Sequence, residues 1–214
     1  MLKNLRWRLA QFFEMRWWKN YLKNKKNDYL EYKKNYWENF LQNIENFKLR
    51  ENEQILDIGC GPAGIYMVLP NNNIDAIDPL CESYHNKLSH FSFSFYPNVR
   101  FFNISFENFS ATKTYDKIFC LNAINHFLDL EKSIKKIADL LHPQAKLYVS
   151  IDVHNYKFLC KLFKIIPVDV LHPHQFTLLQ YQNMLQKFQL KILQTTLIKK
   201  RSIFDYYLIV LMKT

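Results

Sequence analysis

Glycine is nearly missing from this chain: three residues in 214, where average usage of roughly 7% would supply about fifteen. The three are Gly59, Gly61 and Gly64, which fall within six consecutive positions. Every other turn must be made with Asn, Asp, Pro or Lys. No window holds the ~18 uninterrupted apolar residues that a spanning helix needs. Lys3, Arg6 and Arg8 open the chain, but Glu14, Arg16 and Lys19 break any signal-peptide core. A soluble, cytoplasmic protein is the expectation. Cys60, Cys81, Cys120 and Cys160 form no C-x-x-C pair, which argues against a disulfide framework or a structural zinc site. No Gly-Lys-Ser/Thr follows the glycine run, so a P-loop is excluded.

In bulk the rest is ordinary, with 49% hydrophobic and 22% charged residues, which suits one globular domain with a small appendage. Aromatics reach 16%, a bias spread along the whole chain, so no single Phe or Tyr is read as functional. Charge is uneven. Residues 1–50 hold 12 Lys/Arg against 5 Asp/Glu, which is +7 of the total +10, and all four tryptophans (Trp7, Trp17, Trp18, Trp37) lie there too. Leu5, Leu9, Phe12, Phe13 and Trp17 recur at helical spacing, and after the polar run Asn24–Asp28 so do Tyr29, Tyr32, Tyr36, Trp37, Phe40 and Ile44. Residues 1–47 are therefore an expected N-terminal helical extension, and 48–214 the main domain.

From residue 54 short apolar runs alternate with helical stretches. Strands are expected at 54–58, 74–78, 99–103, 117–121 and 146–152, with helices at 64–69, 81–90, 106–110 and 129–141 between them. A helix at 177–187 follows, then strands at 189–198 and 203–212 joined by Lys199-Lys200-Arg201-Ser202. The implied fold is α/β: a mostly parallel seven-stranded sheet with an antiparallel last strand and helices on both faces.

Ligands of open α/β sheets bind beyond the carboxyl ends of the strands. Those ends carry Asp57 before the glycine turn, Asp78-Pro79, Asn103-Ile104-Ser105-Phe106, Asn122-Ala123 leading to Asn125 and His126, and Asp152 leading to His154. Gly59, Gly61 and Gly64 match the spacing of a dinucleotide turn. Asp57, two residues before the first glycine, is awkward beside a pyrophosphate and natural beside a cation. The pattern D-x-G-C-G-P-x-G points to S-adenosylmethionine, with Asp78 placed to accept from ribose hydroxyls.

Leu56-Asp57-Ile58-Gly59-Cys60-Gly61-Pro62-Ala63-Gly64 closely resembles motif I of class I S-adenosylmethionine-dependent methyltransferases. Ile77-Asp78-Pro79 resembles the acidic end of their second strand, the segment from Tyr115 to His126 their fourth strand, and His142-Pro143-Gln144-Ala145 the turn that is usually Pro-Gly-Gly. The resemblance covers residues 50–214, and its closest flavour is the small-molecule group that includes quinone- and lipid-modifying enzymes. It implies a Rossmann-like fold and S-adenosylmethionine as cofactor. It also implies that Asp57, Gly59 and Gly61 face the methionine part and Asp78 the ribose, with Cys60, Gly64 and Pro79 also among the cofactor-binding residues. Ser105 and Phe106 would border the adenine, with Asn122 and Ala123 at the carboxylate end. Two departures stand out, Ala63 in place of a further glycine and Ile104 where an acidic residue often meets the adenine amine.

In-line displacement from a sulfonium is accelerated mainly by positioning, to which a base adds ~10²–10⁴-fold for acidic acceptors. His126, His154 and His174 are the candidate bases, with His172 beside the last; no carboxylate is spaced to complete a metal site with that pair. The tryptophan-rich N-terminus reads as a lid over an acceptor pocket, as a packing element, or as a basic aromatic contact for a membrane surface. The expected activity is methyl transfer to a small, apolar, quinone- or lipid-like acceptor. The rival readings are a nucleic-acid methyltransferase, prompted by the basic charge, and a non-catalytic cofactor-binding protein. The Asn122-Ala123-Ile124-Asn125 segment lacks the Pro-Pro-Tyr/Phe signature of amino-directed base methylation.

Overall fold

The computed structural model describes residues 2–23, 25, 28–155, 174 and 176–214, with side chains from residue 11 onward. His172, Cys160 and the side chain of Trp7 lie outside the described residues. Two helices open the chain, α1 (Leu2–Lys23) and α2 (Tyr29–Gln42). The sheet follows as β1 (Gln54–Ile58), β2 (Asn73–Ile77), β3 (Val99–Phe102), β4 (Tyr115–Leu121), β5 (Leu141–His154), β6 (Leu190–Lys199) and β7 (Phe204–Lys213), in the order β3-β2-β1-β4-β5-β7-β6. Five strands are parallel and β7 runs antiparallel to both β5 and β6. Strand order reverses between β1 and β4, which opens a crevice above their carboxyl ends.

Burial on both faces explains why β1 reads as a continuous apolar run. Ile55 faces a core shared with α1, α2 and α3 (Cys81–Lys87), through Met15, Trp37, Phe40 and Tyr84. Leu56 faces the opposite core, shared with α4 (Leu130–Leu140) and α5 (Leu178–Gln186) through Ile134, Ile137, Tyr181 and Leu185. The N-terminal helices thus occupy one face of the sheet. No helix among the described residues is long and apolar enough to cross a membrane.

Several boundaries differ from expectation. The helix expected at 64–69 is two 3₁₀ turns, Gly61–Ala63 and Ile65–Val68. Pro62 is the second residue of the first, and Pro70 forces Leu69 out of the helical region, to φ −124° and ψ 55°. The helix expected at 106–110 is a 3₁₀ turn at Phe106–Asn108. α3 stops at Lys87 because Leu88 is extended. β5 begins five residues before its expected start, and its register with β4 shifts between Tyr115 and Lys117. Gln144, inside that irregularity, takes φ 66°, the left-handed conformation that glycine adopts most easily.

Candidate functional site

β1 delivers Asp57 and Ile58 straight into the turn. Gly59 then takes φ 68°, and its N–H and that of Cys60 donate to the Ile77 carbonyl at 2.8 and 3.1 Å, tying the turn to the end of β2. A Cβ on Gly59 would lie 2.4 Å from the Ala123 Cβ beyond β4. A Cβ on Gly64 would lie 2.5 Å from the Cys60 carbonyl and 2.6 Å from Asp57 Oδ2. Glycine is thus required at Gly59 by conformation and contact, and at Gly64 by contact alone.

Two carboxylates converge here. Asp78 follows β2 and caps its own loop: Oδ1 accepts from the Leu80 N–H at 2.8 Å and Oδ2 from the Gly61 N–H at 3.1 Å. Asp57 is 2% exposed, and its Oδ2 is buried without a hydrogen-bond partner. Burial, then repulsion from Asp78, pushes the Asp57 carboxyl up to about 8, against the pull of the Tyr66 and Ile65 amides. Burial, then repulsion from Glu14 on α1, pushes Asp78 up to about 7. Cys60 is driven the same way, by burial and its neighbour Cys81, so its thiol stays protonated and is no nucleophile.

Helix α1 lies on this turn. Trp18 is the nearest side chain to the position a Cβ on Gly61 would take, at 3.8 Å, and its ring meets Tyr84 edge-on at 6.3 Å. The Tyr84 hydroxyl donates to Glu14 at 3.1 Å. Helix α2 adds Trp37, whose Nε1 donates to the Ala63 carbonyl at 2.8 Å. That bond gives Ala63, a departure from the resembled motif, a backbone role.

Past β4, exposed Asn122 takes φ 56° and holds a polar network. Its N–H donates to the Ser150 carbonyl at 2.9 Å and its amide to the Tyr206 hydroxyl at 3.2 Å; that hydroxyl donates to Ser150 Oγ at 2.7 Å. The Tyr36 hydroxyl on α2 interacts with that of Tyr206. One turn earlier, the Lys33 ammonium lies over the Tyr36 and Trp37 rings at 4.7 and 5.0 Å, and burial pushes it down to about 8. The sequence reading missed Lys33, Tyr36 and Tyr206. The only sign of them was that Tyr36 and Trp37 sit side by side in α2's apolar stripe, one turn after Lys33.

The structure therefore brings Asp57, Gly59, Cys60, Gly61, Gly64, Asp78, Asn122 and Ala123 together, with Pro79 flanking Asp78. Ser105 and Phe106 begin the loop after β3, which Lys136 pins through the Phe106 and Glu107 carbonyls at 2.8 and 3.1 Å. Phe106 is 4% exposed, covered by the Phe127 ring at 5.5 Å and the Lys136 ammonium at 4.9 Å. It is a wall more than an open stacking face. Among the candidate bases, His126 adjoins the site, its N–H donating to the Ala123 carbonyl at 3.0 Å. His174 Nε2 is hydrogen-bonded to the Phe127 carbonyl at 2.6 Å. His154 is buried against Phe204, ring centroids 4.3 Å apart.

A family model described as a methyltransferase domain matches residues 29–195. No protein of curated function matches the sequence significantly. Among solved structures, the YcgJ protein of Bacillus subtilis is 16% identical, with a TM-score of 0.64 over 83% of this chain and 97% of that one. The N-methyltransferase NodS of Bradyrhizobium japonicum, in complex with S-adenosylhomocysteine, is 14% identical with a TM-score of 0.56 over 85% and 98%. Haemonchus contortus phosphoethanolamine N-methyltransferase 2, holding phosphomonomethylethanolamine and S-adenosylhomocysteine, is 14% identical with a TM-score of 0.65 over 84% and 52%. At these identities the likeness is one of fold.

Proposed function

Because the chain belongs to the class I S-adenosylmethionine-dependent methyltransferases, we propose that it transfers a methyl group from that cofactor to a small-molecule acceptor held between α2 and the ends of β4 and β5. The cofactor of the family is S-adenosylmethionine, which supplies an electrophilic methyl on a sulfonium. The observation that carries the reading is the buried, unpartnered oxygen of Asp57 beside a turn where added side chains would clash. Burying an ionised carboxylate without a partner costs several kcal/mol, and a ligand bringing a positive charge and hydrogen-bond donors removes that cost.

In this reading Asp57, the glycine turn and Asp78 hold the donor, and Asn122 and Ala123 form its floor. Residues 1–47 supply the cover: Trp18 and Trp37 shield the turn and limit water above it. Lys33, Tyr36 and Tyr206 line the acceptor side, where they would orient a polar group of the acceptor by hydrogen bonds. His126, at the same edge, is the histidine best placed to take an acceptor proton. Positioning of this kind can supply most of the acceleration of an in-line displacement.

The test is incubation with methyl-labelled S-adenosylmethionine and fractionated cell extract. Label should enter a low-molecular-weight fraction. Label in RNA, lost as salt is raised, would instead support the nucleic-acid reading. No transfer by a protein that binds the cofactor would leave a binding protein.

A further inference from the structure

Three carboxylates on separate elements meet around one turn: Asp57 at the end of β1, Asp78 after β2, and Glu14 on α1. The first two are 2% and 6% exposed, and Asp57 Oδ2 has no partner. Among the described residues, no lysine or arginine contributes to the surroundings of Asp57 or Asp78. Glu14 reaches the cluster because Trp18, one turn on, seats α1 on Gly61 and Tyr84. The Tyr84 hydroxyl then holds the Glu14 carboxylate at 3.1 Å. The helix thus brings an anion to the mouth of a site already crowded with anions.

We propose that Glu14 is part of the cofactor site, and that the three-carboxylate cluster selects its ligand by charge, losing a proton to solvent when the net-cationic donor enters. This rests on the donor reading above and extends it to a residue of the helical extension. The reason is Coulombic. Asp57 and Asp78 are buried and repel one another, and half-buried Glu14 adds to the repulsion on Asp78, so the empty cluster retains a proton. Among the described residues, the other titratable groups facing it are Cys60 in the turn, Cys81 and Tyr84 on α3, Tyr66 after the turn and Cys120 on β4. Burial pushes Cys60, Tyr66, Tyr84 and Cys120 upward, so they stay neutral and the titration falls on the carboxylates. S-adenosylmethionine carries one more positive charge than its demethylated product, so it relieves the repulsion more and displaces more proton. Product is then held less firmly relative to donor than contact area alone would give.

The full chain is titrated at pH 7 with S-adenosylmethionine and with S-adenosylhomocysteine, in phosphate and in Tris, whose ionisation heats differ. The dependence of the heat on buffer counts protons released. Wild type should release more with the donor than with the product. Glu14→Gln should release fewer with the donor and bind it roughly fivefold more weakly, while product affinity changes less than twofold. Equal proton counts for the two ligands in wild type overturn the proposal without recourse to any variant. So does a Glu14→Gln protein that matches wild type in proton count and in both affinities, since α1 then only packs. A thermal melt of Glu14→Gln close to that of wild type excludes misfolding as the cause of weaker binding. A folded wild type that gives no heat with either ligand defeats the donor reading itself.

Discussion

Among the described residues four acidic side chains are buried in or beside the strands, and they divide by position. Glu53 and Asp75, 5% and 3% exposed, lie toward the amino side of the strands, and each has cations of its own. Lys117 and Arg50 bond Glu53. Arg100 grips Asp75 with two bonds of 3.0 Å, Lys113 stands 3.2 Å away, and the Tyr115 hydroxyl donates at 2.7 Å. Burial alone would raise both carboxyls, but these hydrogen bonds outweigh it and hold them below their ordinary range. Asp57 and Asp78, 2% and 6% exposed, have no such partners and are raised. All four are carboxylates with little solvent exposure; the first pair has cations beside it, and the second has other carboxylates instead. The paired acids serve the fold, and the unpaired ones are the place where the fold is left incomplete.

That contrast is sharpest under substitution. Asp75→Ala leaves the buried Tyr115 hydroxyl without its acceptor while Arg100 remains exposed, and should cost about 1–3 kcal/mol, a fall of roughly 2–12 °C in melting temperature. Cofactor affinity should survive at temperatures where the variant is folded. Asp57→Asn should do the reverse: melting unchanged or higher at pH 8, and donor affinity reduced at least tenfold, or about 1.4 kcal/mol. Asp78→Ala should also weaken the donor at least tenfold. Unchanged affinity there would mean that the ribose contact is misassigned.

The two regions should also respond oppositely to pH. Asp57 and Asp78 have raised folded values, so their contribution is complete below the unfolded value near 3.8 and is lost as pH climbs through about 7 to 8. Glu53 and Asp75 have lowered values, so theirs is present above the unfolded range and lost as pH falls below it. The ligand-free protein should therefore melt highest near pH 5 and fall steadily toward pH 8.5, and Asp57→Asn should flatten the alkaline arm. The smallest expected effect lies outside both acid groups. Gln144→Gly, relieving the residue at φ 66°, should stabilise by up to about 1 kcal/mol without touching the cofactor.

Much of this was legible in the chain. The strand at 54–58, the glycine turn and the acids at its flanks follow from apolar runs ending at Asp57 and Asp78, and the hairpin at the end lies within one residue of expectation. The helix expected at 64–69 failed because Pro62 and Pro70 bracket it too tightly, a local steric effect that periodicity does not register. The acceptor side was illegible for a different reason. Tyr36, Asn122, Ser150 and Tyr206 come from α2, the turn after β4, β5 and β7, and nothing in the sequence says that their hydroxyl and amide groups meet. Glu14 was read only as a charge that breaks an apolar run; its place near Asp78 exists only once α1 folds onto Gly61.

The most direct test is calorimetric titration of wild type, Asp57→Asn and Asp75→Asn with S-adenosylmethionine at pH 7.5, with melts run in parallel. Saturable binding by wild type and Asp75→Asn, weakened at least tenfold in a fully folded Asp57→Asn, is the expected result. A folded wild type that takes up no donor, or an Asp57→Asn that binds as tightly as wild type, would contradict the role given to the unpaired acids.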